Sequence, residues 1–210
     1  MKSITTRIYI SVLLLVVIVS GIGYIFWQEQ AVYLLPTPKP TNYKEVAIGS
    51  KPEVDFGGAN IKKGEKPVFL HFYNPECPCS RFNLAQFKEM VNAHKDSVDF
   101  YVILHQSDKA KSEVESEFEV PVIRDDSGKI ADAYGVYATP QALILDGSGK
   151  IYYRGNYNKA RYCTTRDTRF AELALEAIVE DKPLPQFVEL ASISYGCSLP
   201  SDKKRTTFFF

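Results

Sequence analysis

The chain has 210 residues, 25 basic and 25 acidic side chains, and a hydrophobic content of 45%. That balance suits a folded domain and excludes a disordered chain, and without a basic excess it also argues against nucleic acid as a partner. Its 4 cysteines are too few to staple a disulfide-dense mini-protein, so an apolar core must carry one ordinary domain with an appendage.

The appendage comes first in the chain. Ile8 to Phe26 run without a charge, about 28 Å of helix, which matches the hydrocarbon core of a bilayer. Lys2 and Arg7 precede the run and Trp27 follows it, so residues 1–27 read as an uncleaved anchor. The positive-inside rule then puts the N-terminus in the cytosol and the rest outside. A cleaved signal peptide is the rival reading, with Gly21-Ile22-Gly23 only weakly imitating a small-x-small cleavage site. Residues 28–43 carry Pro36, Pro38 and Pro40, the composition of a semi-rigid stalk. A folded domain is expected over 44–200, and the tail 201–210 has no periodicity.

Within the domain, Pro67–Tyr73 and Val98–Leu104 are apolar runs of strand length. Ser80–His94 places Leu84, Phe87 and Val91 at helical spacing. Lys109–Phe118 is charged and helix-friendly, Pro121–Arg124 reads as a short strand, and Ala142–Leu145 as another. Asp146-Gly147-Ser148-Gly149 then forms a hairpin turn into Ile151–Arg154. A last helix carries Phe170, Leu173, Ala174, Ala177 and Ile178 on one face. This order predicts an α/β fold with parallel strands first and an antiparallel pair last.

Cys77-Pro78-Cys79 lies between the first strand and the first helix. Proline favours the first helical position, because its missing N–H has no intrahelical partner there anyway. Cys77 is therefore expected at the N-cap, near unpaired N–H groups and the positive end of the helix dipole, where a thiolate is favoured. Cys79 can close on Cys77, although with one residue between them the ring is tight for disulfide geometry.

Pro67 to Ser80, followed by Ala138-Thr139-Pro140-Gln141 and a strand–turn–strand, resembles the thioredoxin superfamily. The anchor and stalk make the membrane-tethered TlpA/ResA-type oxidoreductases and the redoxins the nearest kin. The resemblance extends over residues 44–181. It implies a three-layer α/β/α domain with a mixed sheet and no cofactor. It also implies a cis Pro140 facing Cys77, with Thr139 offering its backbone to a bound peptide and Pro78 lying beside it. Cys77 becomes the attacking thiol and Cys79 the resolving one. His71 falls where thioredoxins keep a buried acidic group that moves protons to the dithiol, and an ordinary core histidine is the other reading. The chain departs from the family in having C-x-C where C-x-x-C is usual. That leaves both the division of labour and the direction of electron flow open.

By the same likeness, the loop Asn156–Cys163 overhangs the dithiol, while Cys197 lies in an extension that the basic fold does not need. A structural Cys163–Cys197 disulfide is expected, with a relay to Cys77 or two free thiols as alternatives. The implied function is a tethered thiol–disulfide oxidoreductase. Its partners are cysteine-containing proteins and a thiol–disulfide electron donor or acceptor, at a bacterial inner membrane with the domain in the periplasm. Peroxide reduction fits poorly, because Asn74 stands where peroxiredoxins carry a hydroxyl residue three positions before the cysteine. A redox-dead binding domain fits poorly with two cysteines at the reactive position. The alternative from another class is a Sco-like copper module using Cys77, Cys79 and His105, since soft thiolates suit Cu(I).

Overall fold

The computed structural model describes residues 2–29, 35–56, 61, 64, 66–105, 111–159 and 165–199. The chain divides into two units, Met1–Leu35 and Pro36–Phe210. The first unit holds helix α1 (Lys2–Glu29). Its stretch Ile4–Gln28 is long and apolar enough to cross a membrane, with a mean hydropathy of 2.5.

The second unit opens inside the expected stalk. Pro36 forms an antiparallel bridge with Tyr195, and the Thr37 N–H donates to the Ser194 carbonyl at 2.8 Å. Prolines tolerate a strand edge, and the threonine between two of them supplies a donor. The proline-rich stretch from Pro36 onward is thus part of the folded unit rather than a free spacer.

Five strands build the main sheet: β1 (Val68–Tyr73), β2 (Asp99–Leu104), β3 (Val122–Arg124), β5 (Gln141–Leu145) and β6 (Ile151–Gly155). Their order is β3-β2-β1-β5-β6. β1 pairs in parallel with β2, and β2 with β3. β5 runs antiparallel to both β1 and β6, so the expected switch from parallel to antiparallel is present. Between β1 and β2, the expected single helix is two: α2 (Pro78–Phe82) and α3 (Leu84–His94), separated at Asn83. Helix α4 (Lys111–Phe118) precedes β3, and α6 (Phe170–Val179) follows β6. Helix α5 (Lys129–Ala133) is a further short element, without a periodic signal in the sequence.

Every residue of β1 is buried, so both faces of the sheet are covered, and alternate side chains serve opposite layers. Phe69 and Tyr73 pack with Phe87, Met90 and Val91 of α3, Phe118 of α4, and Phe170, Ala174 and Leu175 of α6. Val68, Leu70 and Phe72 pack on the other face with Ile130 and Ala131 of α5 and with Tyr134 and Leu199. The result is the three-layer α/β/α arrangement. A second, two-stranded sheet joins β4 (Ala138–Thr139) to β7 (Cys197–Ser198) in antiparallel register, and this small ribbon shapes the functional site.

Candidate functional site

At the end of β1 the chain turns on Asn74, whose side-chain oxygen accepts the Glu76 N–H at 2.9 Å while its carbonyl accepts the Cys77 N–H at 3.1 Å. Asparagine favours such turns by imitating a backbone acceptor. Cys77 follows as the N-cap of α2, with extended backbone (φ −81°, ψ 117°) and Pro78 in the first turn. The sequence placed both residues correctly. Ser80, one turn in, is fully buried, and its hydroxyl lies 2.7 Å from that of Thr139. This bond ties the cysteine-bearing helix to β4.

The Thr139–Pro140 peptide bond is cis, and the Thr139 carbonyl oxygen is 3.6 Å from the Cys77 sulfur. The resemblance-derived expectation for Pro140 thus matches the backbone. What faces Cys77 across this corner is Cys197. The two cysteines form a disulfide with Cα atoms 6.0 Å apart and 120 residues between them in sequence. The expected Cys163–Cys197 bridge is therefore corrected, because the Cys197 sulfur is already bonded to Cys77. Cys163 falls outside the described residues. A Cys77–Cys79 bridge is likewise not what forms, for Cys79 is half-buried beyond Pro78 and outside the bond.

The register explains why Cys197 reaches Cys77. In the β4–β7 pair, Thr139 stands opposite Cys197 and Ala138 opposite Ser198. The preceding residue, Gly196, has φ +129°, and a Cβ built on it would lie 2.2 Å from the Thr139 carbonyl oxygen. Only glycine permits that approach. Farther back, the same demand appears at Gly155, where a Cβ would meet the Ala191 carbonyl at 2.2 Å. The neighbouring Asn156 side chain donates to the carbonyls of Leu190 and Ile193, and Gln141 donates to the Ser194 hydroxyl at 2.8 Å. The extension after α6 is sewn down along its length, ending with Cys197 on Cys77.

His71 occupies the middle of β1, fully buried and stacked on Phe87 with ring centroids 4.6 Å apart. Its Nδ1 shares a 2.6 Å hydrogen bond with the Tyr157 hydroxyl, and Nε2 has no partner among the described residues. Burial pushes its pKa down to about 3, because the charged ring cannot be solvated there. The same burial holds Tyr157 well above the usual tyrosine range. Of the two readings that the sequence left open for His71, these surroundings suit the neutral core histidine. His105 is also buried, at the end of β2. Cys77, Cys79 and His105 do not gather as a metal site, and no group of three or more His, Cys, Asp or Glu able to hold a metal ion occurs among the described residues.

Sequence reasoning missed the β4–β7 pairing and the roles of Thr37, Gln141 and Asn156. The signal that could have found the first is the dipeptide Gly196-Cys197, a cysteine beside the one residue that tolerates close backbone contact.

Solved structures with the same architecture include an uncharacterized conserved protein from Geobacillus kaustophilus, at TM-score 0.61 and 20% identity, covering 81% of this chain and 100% of that one. A hypothetical protein from Sinorhizobium meliloti 1021 has TM-score 0.63 and 17% identity, covering 77% and 98%. A secreted Mycobacterium tuberculosis disulfide oxidoreductase homologous to E. coli DsbE is more distant, at TM-score 0.41 and 20% identity over 56% of this chain and 83% of that one. At these identities the likeness is one of fold alone. No curated protein matches the sequence. A family description does match, over residues 50–198 and thus more than half of the chain: the protein belongs to the family of the domain of unknown function DUF6436.

Proposed function

We propose that the chain is a membrane-tethered thiol–disulfide oxidoreductase whose exchanging sulfur is that of Cys77. The observation that carries this reading is the Cys77–Cys197 disulfide, held at the start of a helix and against a cis Thr139–Pro140 bond. A sulfur at a helix start is a good leaving group, because unpaired N–H groups and the helix dipole favour its thiolate. The pair joins the N-cap of α2 to β7, two segments 120 residues apart in sequence.

In exchange, a partner thiolate attacks one sulfur of the disulfide, forms a mixed disulfide and releases the other sulfur as a thiolate. A second thiol of the partner then attacks its own sulfur in the mixed disulfide, which frees the partner as a disulfide and leaves Cys77 and Cys197 as thiols. Cys197 takes the place of partner sulfur to Cys77, and Cys79, two residues away, is a further thiol that can attack Cys77 in the mixed disulfide and return the partner reduced. Partners are cysteine-containing proteins and a thiol–disulfide donor or acceptor. Helix α1 supports attachment to a membrane, and Lys2 and Arg7 before the apolar run support a domain on the outer side, the periplasm of a bacterium.

The test is thiol exchange by the full chain in detergent, followed with a fluorescent peptide disulfide. Cys77→Ser is expected to abolish exchange while the circular dichroism stays unchanged. Full exchange in that variant contradicts the proposal.

A further inference from the structure

The ribbon around β7 has the form of a peptide docked in a groove. On one side, Pro36 bridges Tyr195, and the Thr37 hydroxyl donates to the Gly196 carbonyl at 3.0 Å. On the other, Cys197 pairs with Thr139, and the Leu199 N–H donates to the Tyr137 carbonyl at 2.9 Å. Leu199 buries its side chain in the apolar cluster beneath β1. Extended backbone, edge pairing, an apolar anchor and a cysteine delivered to Cys77 are the elements of recognition by strand addition. With the segment in place, Cys77 is only 2% exposed, so a macromolecular partner must push the segment aside to reach its sulfur.

Resting on the oxidoreductase reading above, we propose that Tyr195–Leu199 occupies in cis the groove that takes the peptide partners. The groove selects partners whose reacting cysteine directly follows a glycine. The selecting element is the Thr139 carbonyl, which leaves no room for a Cβ at the position held by Gly196. A docked partner reacts as follows. Its cysteine thiolate attacks the Cys77 sulfur, a Cys77–partner disulfide forms, and the Cys77–Cys197 bond breaks. The electron pair leaves on Cys197, which takes up the proton given up by the partner thiol. The chain's own segment and the partner thus exchange places.

The test uses the full chain in detergent carrying Cys79→Ser, Gly196→Ala and Cys197→Ser, so that neither Cys79 nor Cys197 resolves the product and the chain's own segment competes poorly. Two hexapeptides are supplied as mixed disulfides with glutathione: Ser-Tyr-Gly-Cys-Ser-Leu, and the same peptide with alanine for glycine. Exchange with Cys77 yields a Cys77–peptide disulfide and free glutathione, quantified by mass spectrometry. The glycine peptide is expected to form at least ten-fold more adduct at equilibrium. Equal adduct from the two peptides overturns the groove proposal and leaves the oxidoreductase reading standing. Failure of either peptide, and of glutathione disulfide itself, to modify Cys77 overturns both. Should the triple variant not fold, the preference is read in cis. Gly196→Ala alone is expected to lower the equilibrium constant for Cys77–Cys197 closure against glutathione at least ten-fold, and an unchanged constant overturns the proposal.

Discussion

The buried hydroxyls of Ser80 and Thr139 lie 2.7 Å apart and form the polar link between the helix that begins at Cys77 and the strand that ends at the cis proline. Both residues are fully buried, so losing one partner strands the other, at a cost of about 1–3 kcal/mol. Ser80→Ala and Thr139→Val are each expected to lower stability by that amount. The double variant should cost about 1 kcal/mol less than the sum of the singles. Denaturant midpoints of the four proteins measure the coupling, and strict additivity would show that the contact carries no energy.

Asn156 ties the extension to β6 by donating to two carbonyls, those of Leu190 and Ile193. Asn156→Ala leaves both without a donor and is expected to loosen the segment before β7 by about 1–3 kcal/mol. Hydrogen exchange of amides over residues 191–199 should accelerate about ten-fold or more, while that of β1 and β2 stays slow. Uniform acceleration across the domain would place Asn156 in the global core instead.

Acid should destabilise the domain through His71. Its folded pKa of about 3 lies below the ordinary value of 6.5. The stability it contributes is therefore complete above pH 6.5 and is lost as pH falls towards 3, where the unfolded chain holds the extra proton. The loss has a limiting slope of about 1.4 kcal/mol per pH unit, or about 2–3 kcal/mol between pH 6 and pH 4. His71→Phe removes the titrating ring but strands the Tyr157 hydroxyl, so it is expected to be less stable at pH 7 and flatter in pH dependence. Denaturation at several pH values checks this, and an unchanged slope would contradict it.

Much of the fold was legible because its signals are local. The run Val68–Tyr73 is continuously apolar apart from His71, which marks a strand covered on both faces, and Pro78 marks the helix start one residue late enough to cap it with Cys77. The cis Pro140 was expected only through the family resemblance carried by Ala138-Thr139-Pro140-Gln141. The partner of Cys77 was not legible, since Cys197 is 120 residues away and reaches it only through a two-residue strand with no periodicity. The choice between Cys163 and Cys197 depends on the path of the extension. That path is set by contacts such as Gly155 with Ala191 and Gln141 with Ser194, which no spacing encodes. For His71 the sequence offered two readings, and the contacts that favour the core histidine, Phe87 and Tyr157, arrive from other parts of the chain.

The most direct test of the account is to identify which cysteine changes state with Cys77. The full chain, metal-free and in detergent, is equilibrated across glutathione buffers, quenched and alkylated, and each cysteine is quantified by mass spectrometry. Cys77 and Cys197 are expected to titrate together as a two-electron couple, in which a tenfold change in equilibrium constant corresponds to about 30 mV. If Cys77 instead titrates with Cys79, or Cys197 remains oxidised with Cys163 while Cys77 is reduced, the Cys77–Cys197 redox pair is contradicted.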